Sequence, residues 1–285
     1  MEKYTQIIKQ NEPVLKKGNT SIYLVDFEEE NELLQYIGKL RWEIYRSTGA
    51  GYSGTDTDLD SYDLRVTHVL IWDEENNEII GGYRLFKCWE LITKGVPDTY
   101  LSENFNFHED YFNNLNISME VGRSFIQEKY WNGNYLDHLW MGIGQYLLRN
   151  PNVKYLYGSV SIGTLYSLES ISYIIYHYKK WHWQENNFFS PKKEFEINQE
   201  NLKKCEELFS GSNSDDDLRK LKFKLRDMGL SIPVLMRRYV SLTDLGGTRF
   251  LAFAYDDAYD SIVSLCQVDI TKLKDIYHKR YLGES

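Results

Sequence analysis

The sequence is 285 residues long, has a formal net charge of −9 at pH 7, and is 42% hydrophobic and 15% aromatic. Its acidic balance argues against general nucleic-acid binding. It has no apolar run near the roughly 18 residues of a membrane span and no signal-peptide pattern at its start. Cys88, Cys205 and Cys266 are odd in number and widely spaced, without zinc-site spacing. We therefore expect a soluble, cytoplasmic protein without a metal.

The first strong periodic pattern along the chain is helical. Residues 29–46 carry apolar side chains three and four positions apart, which predicts an amphipathic helix. Residues 47–61 are rich in Gly, Thr, Asp and Ser, which predicts a loop. Residues 58–63 continue it with the sequence DLDSYD. On composition alone, acidic residues in such a loop are more often turn formers than catalytic groups.

Two strands and a polar turn follow. Residues 67–72 and 79–85 are rich in β-branched and aromatic residues and flank an Asn/Asp/Glu turn, which predicts a β-hairpin. Residues 118–127 predict a further strand that extends the same sheet. Charged residues inside these apolar strands, such as Arg84 and Glu120, are costly unless they are paired or used. They are therefore candidates for a functional site.

The second half of the chain predicts alternating helices and strands. The segments are a helix at 135–149, a strand at 155–161, a helix at 165–178, a basic amphipathic helix at 218–226, and strands at 232–239, 250–255 and 261–268. A meander followed by a strand–helix–strand crossover implies a mixed sheet with helices on both faces. We divide the chain into a core at 1–183, a polar and basic helical insertion at 184–231, and C-terminal strands at 232–285 that complete or extend the sheet.

Six short motifs occur in a fixed order between residues 33 and 180. They are LRWEIY at 40–45, DSYD at 60–63, THVL at 67–70, GGYRL at 81–85, EVGRS at 120–124 and LW at 139–140. Together they resemble the GNAT acyltransferase superfamily, in the branch of ornithine-lipid N-acyltransferases, haemolysin-like acyltransferases, N-acyl amino acid synthases and acyl-homoserine-lactone synthases. The resemblance implies an α/β (α+β) fold with a GNAT-like mixed, mostly antiparallel central sheet, helices on both faces and a C-terminal extension.

One departure from the superfamily concerns the acyl donor. Acetyl-CoA-dependent members hold the pyrophosphate with an Arg/Gln-x-x-Gly-x-Gly/Ala loop at a helix N-terminus. Residues 127–134 here read QEKYWNGN, with one glycine at a different spacing. Members of this branch generally use acyl carrier protein, whose phosphopantetheine lacks that pyrophosphate. The resemblance thus implies an acyl thioester co-substrate, with acyl carrier protein favoured over acyl-CoA, and no bound cofactor.

Glu120 is the candidate general base, with Arg84 and Asp63 as its catalytic partners. Amide formation from a thioester needs a neutral amine, and a free α-amine has a pKa of about 8, so a carboxylate can usefully remove its proton. The planar fork of Arg84 can hold a substrate carboxylate or orient Glu120. The resemblance implies that Asp63 orients the substrate amine or an arginine. The structural alternative for Glu120 is an ion pair with Arg84 or Arg123.

The substrate-binding candidates carry structural alternatives as well. Arg123 lies three residues from Glu120, so both can line one site only if the strand carries a bulge; otherwise Arg123 is a structural ion-pair partner. His68 is favoured as a core histidine over a general base. Arg41 either closes the site from the first helix or is solvated. The other residues assigned to substrate binding are Asp60, Ser124, Trp140, Ser159 and Ser161, of which Trp140 also suits the core.

The predicted helix at 218–226 carries a compact set of basic residues. One interpretation is a solvated face above buried leucines. The other is a docking surface for acidic acyl carrier protein or for the anionic inner-membrane surface. The basic residues are Arg219, Lys220, Lys222, Lys224 and Arg226.

His68 and Asp73 match the His-x4-Asp pattern of glycerolipid acyltransferases. In those enzymes the pair must converge on a substrate hydroxyl. An odd separation along an extended strand points the two side chains to opposite faces, and Asp73 begins a turn. We interpret this match as chance.

The predicted function is transfer of a long-chain acyl group from acyl carrier protein to the α-amine of an amino acid. A 3-hydroxyacyl group is one form of this prediction. The product would be a precursor of ornithine- or glycine-type lipids. One alternative is an acyl-homoserine-lactone-type synthase using S-adenosylmethionine, which the long segment after residue 180 disfavours. Another is a non-enzymatic, haemolysin-like protein that binds anionic lipid through residues 218–226. Pocket shape, and with it the amine acceptor, is not predictable from the sequence.

Overall fold

The computed structural model describes residues 2–49, 55–90, 92–93 and 96–283. Of the predicted loop at 47–61, residues 50–54 lie outside the described residues. Within these ranges the strands are β1 Leu15–Lys17, β2 Thr20–Asp26, β3 Thr67–Asp73, β4 Glu78–Lys87, β5 Ile92–Thr93, β6 Val96–Pro97, β7 Phe105–Phe107, β8 Ser118–Ile126, β9 Tyr155–Ile162, β10 Phe189–Pro191, β11 Thr248–Asp256 and β12 Ser261–Asp269.

The helices are distributed along the same described ranges. In that part of the chain no helix is long and apolar enough to cross a membrane. The helices are α1 Glu2–Ile8, α2 Glu32–Ser47, α3 Leu101–Asn104, α4 Glu109–Phe112, α5 Tyr135–Arg149, α6 Leu168–His182, α7 Gln199–Leu208, α8 Ser214–Asp227, α9 Val234–Leu242 and α10 Asp275–Leu282.

The chain divides into two compact units, and each is assembled from separate stretches of sequence. Unit 1 contains Met1–Tyr100, Asn114–Leu156 and Lys274–Ser285. Unit 2 contains Leu101–Asn113 and Tyr157–Leu273. The three-part division into 1–183, 184–231 and 232–285 stays a prediction from the sequence.

Unit 1 contains an antiparallel sheet with strand order β1-β2-β3-β4-β8. Successive side chains of a strand point to opposite faces. One face carries Tyr23 and Leu70, which pack with α2 in a shared apolar core. The other carries Ile22 and Val69, which lie so close to Gly142 of α5 that a side chain there would touch them. This sheet therefore has helices on both faces, as predicted.

Unit 2 contains the strands β9, β12 and β11, in that order. β11 and β12 form a long antiparallel hairpin, and α6 and α9 pack against β11. α7 and α8 pack in turn on α6. The apolar stripe of α8 explains its position, because Leu221 and Leu225 are fully buried and the residues between them are mostly charged.

The mixed, mostly antiparallel sheet with flanking helices and a C-terminal extension confirms the predicted fold class. The predicted helix at 135–149 and the hairpin strands are confirmed by α5, β3 and β4. The predicted strand at 232–239 is wrong, because Val234–Leu242 is helical. Its apolar residues recur three and four positions apart, and burying them on one side requires a helix. These buried residues are Ile232, Met236, Tyr239 and Leu242.

Candidate active site

Asp63 and Arg41 form a buried, bidentate ion pair. Arg41 Nη1 and Nη2 each donate to one carboxylate oxygen of Asp63, both at 2.8 Å. Both side chains are at most 2% exposed. Burial raises the pKa of Asp63, but the hydrogen bonds and charge of Arg41, together with the charge of Arg84, outweigh it and hold that pKa well below its usual range. Asp63 is therefore an anion that fixes two guanidinium groups.

Asp58 joins this pair from the same acidic loop. Its carboxylate Oδ2 lies 2.9 Å from Arg41 Nε, and its backbone carbonyl accepts a short hydrogen bond from Arg41 Nη2. The loop is held against α2, since the Asp58 N–H donates to the carbonyl of Gly38 at 3.0 Å. Asp58 was not among the predicted site residues, although it alternates with Asp60 in the acidic run.

Arg84, on β4, has one nitrogen engaged and two without partners. Its Nη1 lies 2.6 Å from Asp60 Oδ1 and 3.2 Å from Asp63 Oδ1. Its Nε and Nη2 are buried and have no hydrogen-bond partner among the described residues. The side chain is 1% exposed, whereas that of Asp60 is 26% exposed. Two guanidinium nitrogens thus remain able to donate to an anion, beside Asp60, which is more exposed than Asp58 or Asp63.

A bulge in β8 brings Arg123 to the same loop. Gly82 pairs with Phe125 and Arg84 pairs with Gly122, so two residues of β8 lie opposite one residue of β4. Arg123 has φ +49°, in the left-handed region. Its Nε lies 3.2 Å from Asp58 Oδ2. The bulge that the sequence analysis required for Arg123 is present.

Two further contacts hold Arg123 in place. Its Nη2 lies 3.5 Å from Asp60 Oδ2, and its guanidinium stacks 4.3 Å from the ring centroid of Tyr100. Next to Arg123, the hydroxyl of Tyr45 on α2 donates a hydrogen bond to the backbone carbonyl of Ser124 at 3.1 Å. The sequence analysis assigned neither Tyr45 nor Tyr100 to the site, because Tyr45 ends the LRWEIY motif without an evident chemical role and Tyr100 lies in none of the six motifs.

His68 lies opposite Arg84 in the β3–β4 pair. Its Nε2 donates to the backbone carbonyl of Asp63 at 2.9 Å. Burial lowers the pKa of His68 to about 4, although the nearby carboxylate of Asp63 opposes this change. A neutral, 1% exposed imidazole that braces the acidic loop agrees with the core-histidine interpretation.

Glu120 lies in β8 on the same sheet face as Arg84. It pairs with Phe86, two residues beyond Arg84, so the carboxylate and the guanidinium are diagonal neighbours across two strands. Glu120 is 2% exposed. Neither of the two pockets described below, in unit 1 and unit 2, includes it. A substrate amine must therefore enter the interior to meet this group.

The pocket in unit 1 has a volume of about 240 Å³. Its charged lining residues already have partners: Arg65 lies 2.6 Å from Asp98, Lys87 lies 3.0 Å from Glu90, and Asp26 accepts a hydrogen bond from the Thr67 hydroxyl at 2.6 Å. The candidate Ser124 is half-buried beside the bulge, and Trp140 is buried in α5 against Tyr281. Ser159 and Ser161 lie on β9, half-buried, in unit 2.

The basic residues on α8 differ in how far they are engaged. Lys220 lies 3.6 Å from Asp217, and Lys224 lies 4.0 Å from Glu169 and over the ring of Tyr173. Arg219 pairs with the exposed Asp216. Lys222 and Arg226 are exposed, and Arg226 lies over the ring of Phe223, which is 58% exposed. The outward surface of α8 is therefore both basic and apolar.

His68 and Asp73 do not converge. Asp73 accepts hydrogen bonds from the backbone of Glu75 and Asn76 in the turn, whereas His68 contacts Asp63. The interpretation of His-x4-Asp as a chance match agrees with these contacts. Across the described residues, no group of three or more His, Cys, Asp or Glu side chains is placed to hold a metal ion.

The N-terminal turn of α5, which follows the glycine-poor segment 127–134, is already occupied by an acidic side chain. Asp137 accepts a hydrogen bond from the Tyr281 hydroxyl at 2.5 Å and lies 2.5 Å from Arg280 Nη2. Its carboxylate complements the positive end of the helix dipole. An added anion at this turn would have to compete with that carboxylate for the N-terminus of the helix.

Residues 40–141 match the family model for the acetyltransferase (GNAT) domain. This range contains all six motifs and the whole buried cluster. The chain carries a GNAT acyltransferase domain. It is an acyltransferase, as the sequence motifs predicted.

Similar proteins extend the comparison beyond this domain. A glycine N(alpha)-acyltransferase of Phocaeicola vulgatus is 28% identical over 278 residues, which is 92% of this chain and 84% of the relative. A second, of Bacteroides thetaiotaomicron, is 28% identical over 287 residues, which is 94% of this chain and 84% of the relative. Among solved structures, the acyl-homoserine-lactone synthase LasI has a TM-score of 0.46 at 11% identity and covers 93% of this chain and 95% of its own.

Proposed function

We propose that this acyltransferase moves a long-chain acyl group from acyl carrier protein to the α-amine of glycine. The acyl thioester carbon forms a bond to the amine nitrogen, the carbon–sulfur bond breaks, and the thiolate leaves and takes up a proton. The two glycine N(alpha)-acyltransferases, each similar over more than nine-tenths of this chain, support the choice of acceptor.

Arg84 is the observation that carries the proposal. Its Nε and Nη2 are buried and have no hydrogen-bond partner among the described residues. A buried guanidinium with unfilled donors is costly, and the planar carboxylate of an amino acid can satisfy two of them at once. Because Arg84 is only 1% exposed, the site favours an acceptor without a side chain. Glycine meets that requirement.

Glu120 is the proposed base for the acceptor amine. It lies on the face of Arg84, one diagonal step away in the sheet, so a bound amino acid can direct its carboxylate to the guanidinium and its amine to Glu120. At neutral pH an α-ammonium must lose a proton before it attacks a thioester. Asp60 reaches solvent beside Arg84 and would receive the ammonium as it enters.

The proposed donor is acyl carrier protein. The segment 127–134 lacks the glycine spacing that cradles a pyrophosphate, and Asp137 already lies at the following helix turn. Both features disfavour the pyrophosphate of CoA. The exposed, basic surface of α8 suits an acidic carrier protein. Transfer from this donor to glycine would form an N-acylglycine, which is a lipid precursor.

The test is acyl transfer by the purified protein. A long-chain acyl-carrier-protein thioester is offered with glycine, alanine, serine or ornithine, and products are identified by mass spectrometry. We expect N-acylglycine as the main product and its loss in Glu120→Gln. Arg84→Lys should raise the KM for glycine about 10- to 100-fold and change the KM for the donor little, because lysine cannot form the bidentate contact.

Arg65→Lys is the matched control for Arg84→Lys, since Arg65 pairs with Asp98 at the surface of unit 1. It should behave as the unsubstituted protein does. A protein that acylates no amino acid, or acylates ornithine in preference to glycine, would refute the acceptor assignment. Faster turnover with acyl-CoA than with the carrier-protein thioester would refute the donor assignment. Formation of a lactone from S-adenosylmethionine would establish the homoserine-lactone alternative instead.

A further inference from the structure

The end of the β11–β12 hairpin in unit 2 concentrates negative charge. Asp256 ends β11, and Asp257 and Asp260 lie in the loop that leads to Ser261, the first residue of β12. Among the described residues, Asp260 has no side-chain partner in any hydrogen bond or ion pair. Asp260 is exposed and has φ +44°, a left-handed conformation that aspartate tolerates.

These acidic residues contribute to the lining of a pocket of about 250 Å³. Much of the remaining lining is apolar, and no lysine, arginine or histidine contributes to it. Asp256 is anchored by hydrogen bonds from the side chain of Asn104 and from the backbone of Ala258. The pocket therefore combines fixed negative charge with hydrophobic surface. Its apolar lining comes from Ile162, Leu168, Ile171 and Ile262.

Ser261 adds an unfilled polar group to the lining of this pocket. The residue is 6% exposed, and its Oγ is buried without a hydrogen-bond partner among the described residues. A hydroxyl oxygen has two lone pairs that accept hydrogen bonds, and leaving such a group unsatisfied in the interior costs about 1–3 kcal/mol. A ligand that donates a hydrogen bond at this position would remove that cost.

The chain itself supplies an alkylammonium to the same surface. Lys193 Nζ lies 2.5 Å from Asp257 Oδ1 and 5.2 Å from the ring centroid of Tyr255, another residue of the lining. Lys193 neutralises one of the three carboxylates, so a net negative charge remains. The surroundings of this ammonium, a carboxylate and an aromatic face, are those that proteins use for organic cations.

We infer that this pocket binds a small organic cation with an apolar body, the class of primary alkyl and arylalkyl amines. The ammonium group, which has three donors, contacts Asp260, Asp256 and the unfilled Oγ of Ser261, and the apolar body packs on the isoleucine and leucine side chains. The site lies wholly within unit 2 and does not depend on the proposed acyl transfer. Nothing in the acyltransferase chemistry above uses it.

Isothermal titration calorimetry with benzylamine tests the site, with benzyl alcohol as the neutral probe of similar shape. Measurements use the full chain without acyl donor or glycine. We expect benzylamine to bind with a Kd of roughly millimolar magnitude and benzyl alcohol to bind at least about fivefold more weakly. Asp260→Asn should weaken benzylamine binding about fivefold, and Ser261→Ala about tenfold.

The controls separate recognition from folding and from general charge. Ser261→Ala removes an unsatisfied hydroxyl and should not destabilise the protein in urea unfolding. Asp244→Asn, an exposed acidic residue of unit 2 outside the pocket lining, should leave binding unchanged. Equal affinity for the amine and the alcohol, no amine binding at millimolar concentration, or an effect of Asp244→Asn as large as that of Asp260→Asn would each overturn the assignment.

Discussion

At the scale of single residues, the acidic loop compensates three guanidinium groups with three carboxylates. Arg41 and Arg123 share Asp58, and Arg84 contacts Asp60 and Asp63. Buried charges are tolerated only when their partners and hydrogen bonds are well placed. The unfilled nitrogens of Arg84 depart from this balance, and such departures are expected at sites that bind a ligand.

Removing one member of the most buried pair should be strongly destabilising. Arg41→Met leaves Asp63 charged, 2% exposed and short of its bidentate partner. We expect the free energy of unfolding to fall by about 3–5 kcal/mol, measured by urea denaturation at pH 7. Arg65→Met, which breaks the half-exposed pair with Asp98, should cost less than about 1 kcal/mol. Similar losses for the two variants would contradict the buried-pair assignment.

The neutral imidazole of His68 makes stability depend on pH. Its pKa is lowered to about 4 by burial, below the ordinary value near 6.5. Between those pH values the unfolded chain binds a proton that the folded chain does not, so stability falls as pH decreases from about 6.5 to about 4. Over this pH range, His68 alone should lower the free energy of unfolding by about 3 kcal/mol.

His68→Gln tests this dependence. The free energy of unfolding is measured in urea at pH 7 and at pH 4.5 for both proteins. The decrease between the two pH values should be smaller in the variant by roughly 2–3 kcal/mol. Asp63 does not contribute to this window, because its pKa is lowered and its effect appears only at more acidic pH. An unchanged decrease in the variant would mean that folding does not lower the pKa of His68.

The sequence allowed prediction of most of this cluster and left part of it hidden. Arg84, Glu120 and Arg123 were recognisable because charge is unusual in apolar strands. The geometry of Arg123 depends on a bulge, and a bulge in one strand is defined by its pairing with another, which the local sequence does not encode. Asp58 lacked any feature that distinguishes it from a turn-forming aspartate.

At the scale of secondary-structure elements, segments with strong apolar periodicity were predicted correctly, whereas a helix in a polar segment was not predicted. α5 begins and ends at the residues predicted, because apolar side chains recur along its whole length. α7 was not predicted as a separate helix within the insertion at 184–231, since few of its side chains are buried. Residues 234–239 of the strand predicted at 232–239 belong instead to α9, whose paired arginines, Arg237 and Arg238, hid the helical spacing.

The two kinds of basic residue on α8 predict different effects of charge reversal. Lys222→Glu combined with Arg226→Glu changes only exposed side chains. If the carrier protein docks here, this pair should lower kcat/KM for the acyl-carrier-protein thioester about tenfold or more and leave a short synthetic thioester unaffected. The difference should diminish at high salt. Reversing Lys220 or Lys224 would also disturb contacts with Asp217 or Glu169.

The matched control reverses two exposed lysines of unit 1, Lys16 and Lys279. It makes the same change in net charge away from α8 and should reduce carrier-protein use little. Equal losses with both donors in the α8 variant, or an equal loss in the control, would remove α8 as the docking surface. Binding of the unsubstituted protein to anionic vesicles, lost in the α8 variant alone, would assign the surface to membrane association instead.

At the scale of the whole molecule, the chain leaves unit 1 after Leu156 and returns to it at Lys274. The returning segment forms α10, which packs along α5. The contact is close: a side chain at Gly144 would overlap the backbone carbonyl of Tyr281. Helical periodicity alone gave no sign of this return, because the contact joins residues more than 130 positions apart and depends on one small residue.

Gly144→Ala tests whether α10 is an integral part of unit 1. In an isolated helix this substitution would be stabilising by about 1 kcal/mol. Here the added methyl group must displace α10, so the free energy of unfolding should fall by about 1–3 kcal/mol, and limited proteolysis should release the C-terminal helix. Gly122→Ala, which meets no atom within 4 Å, should be nearly neutral. A Gly144→Ala protein as stable and as protease-resistant as the unsubstituted one would mean that α10 does not pack on α5 in solution.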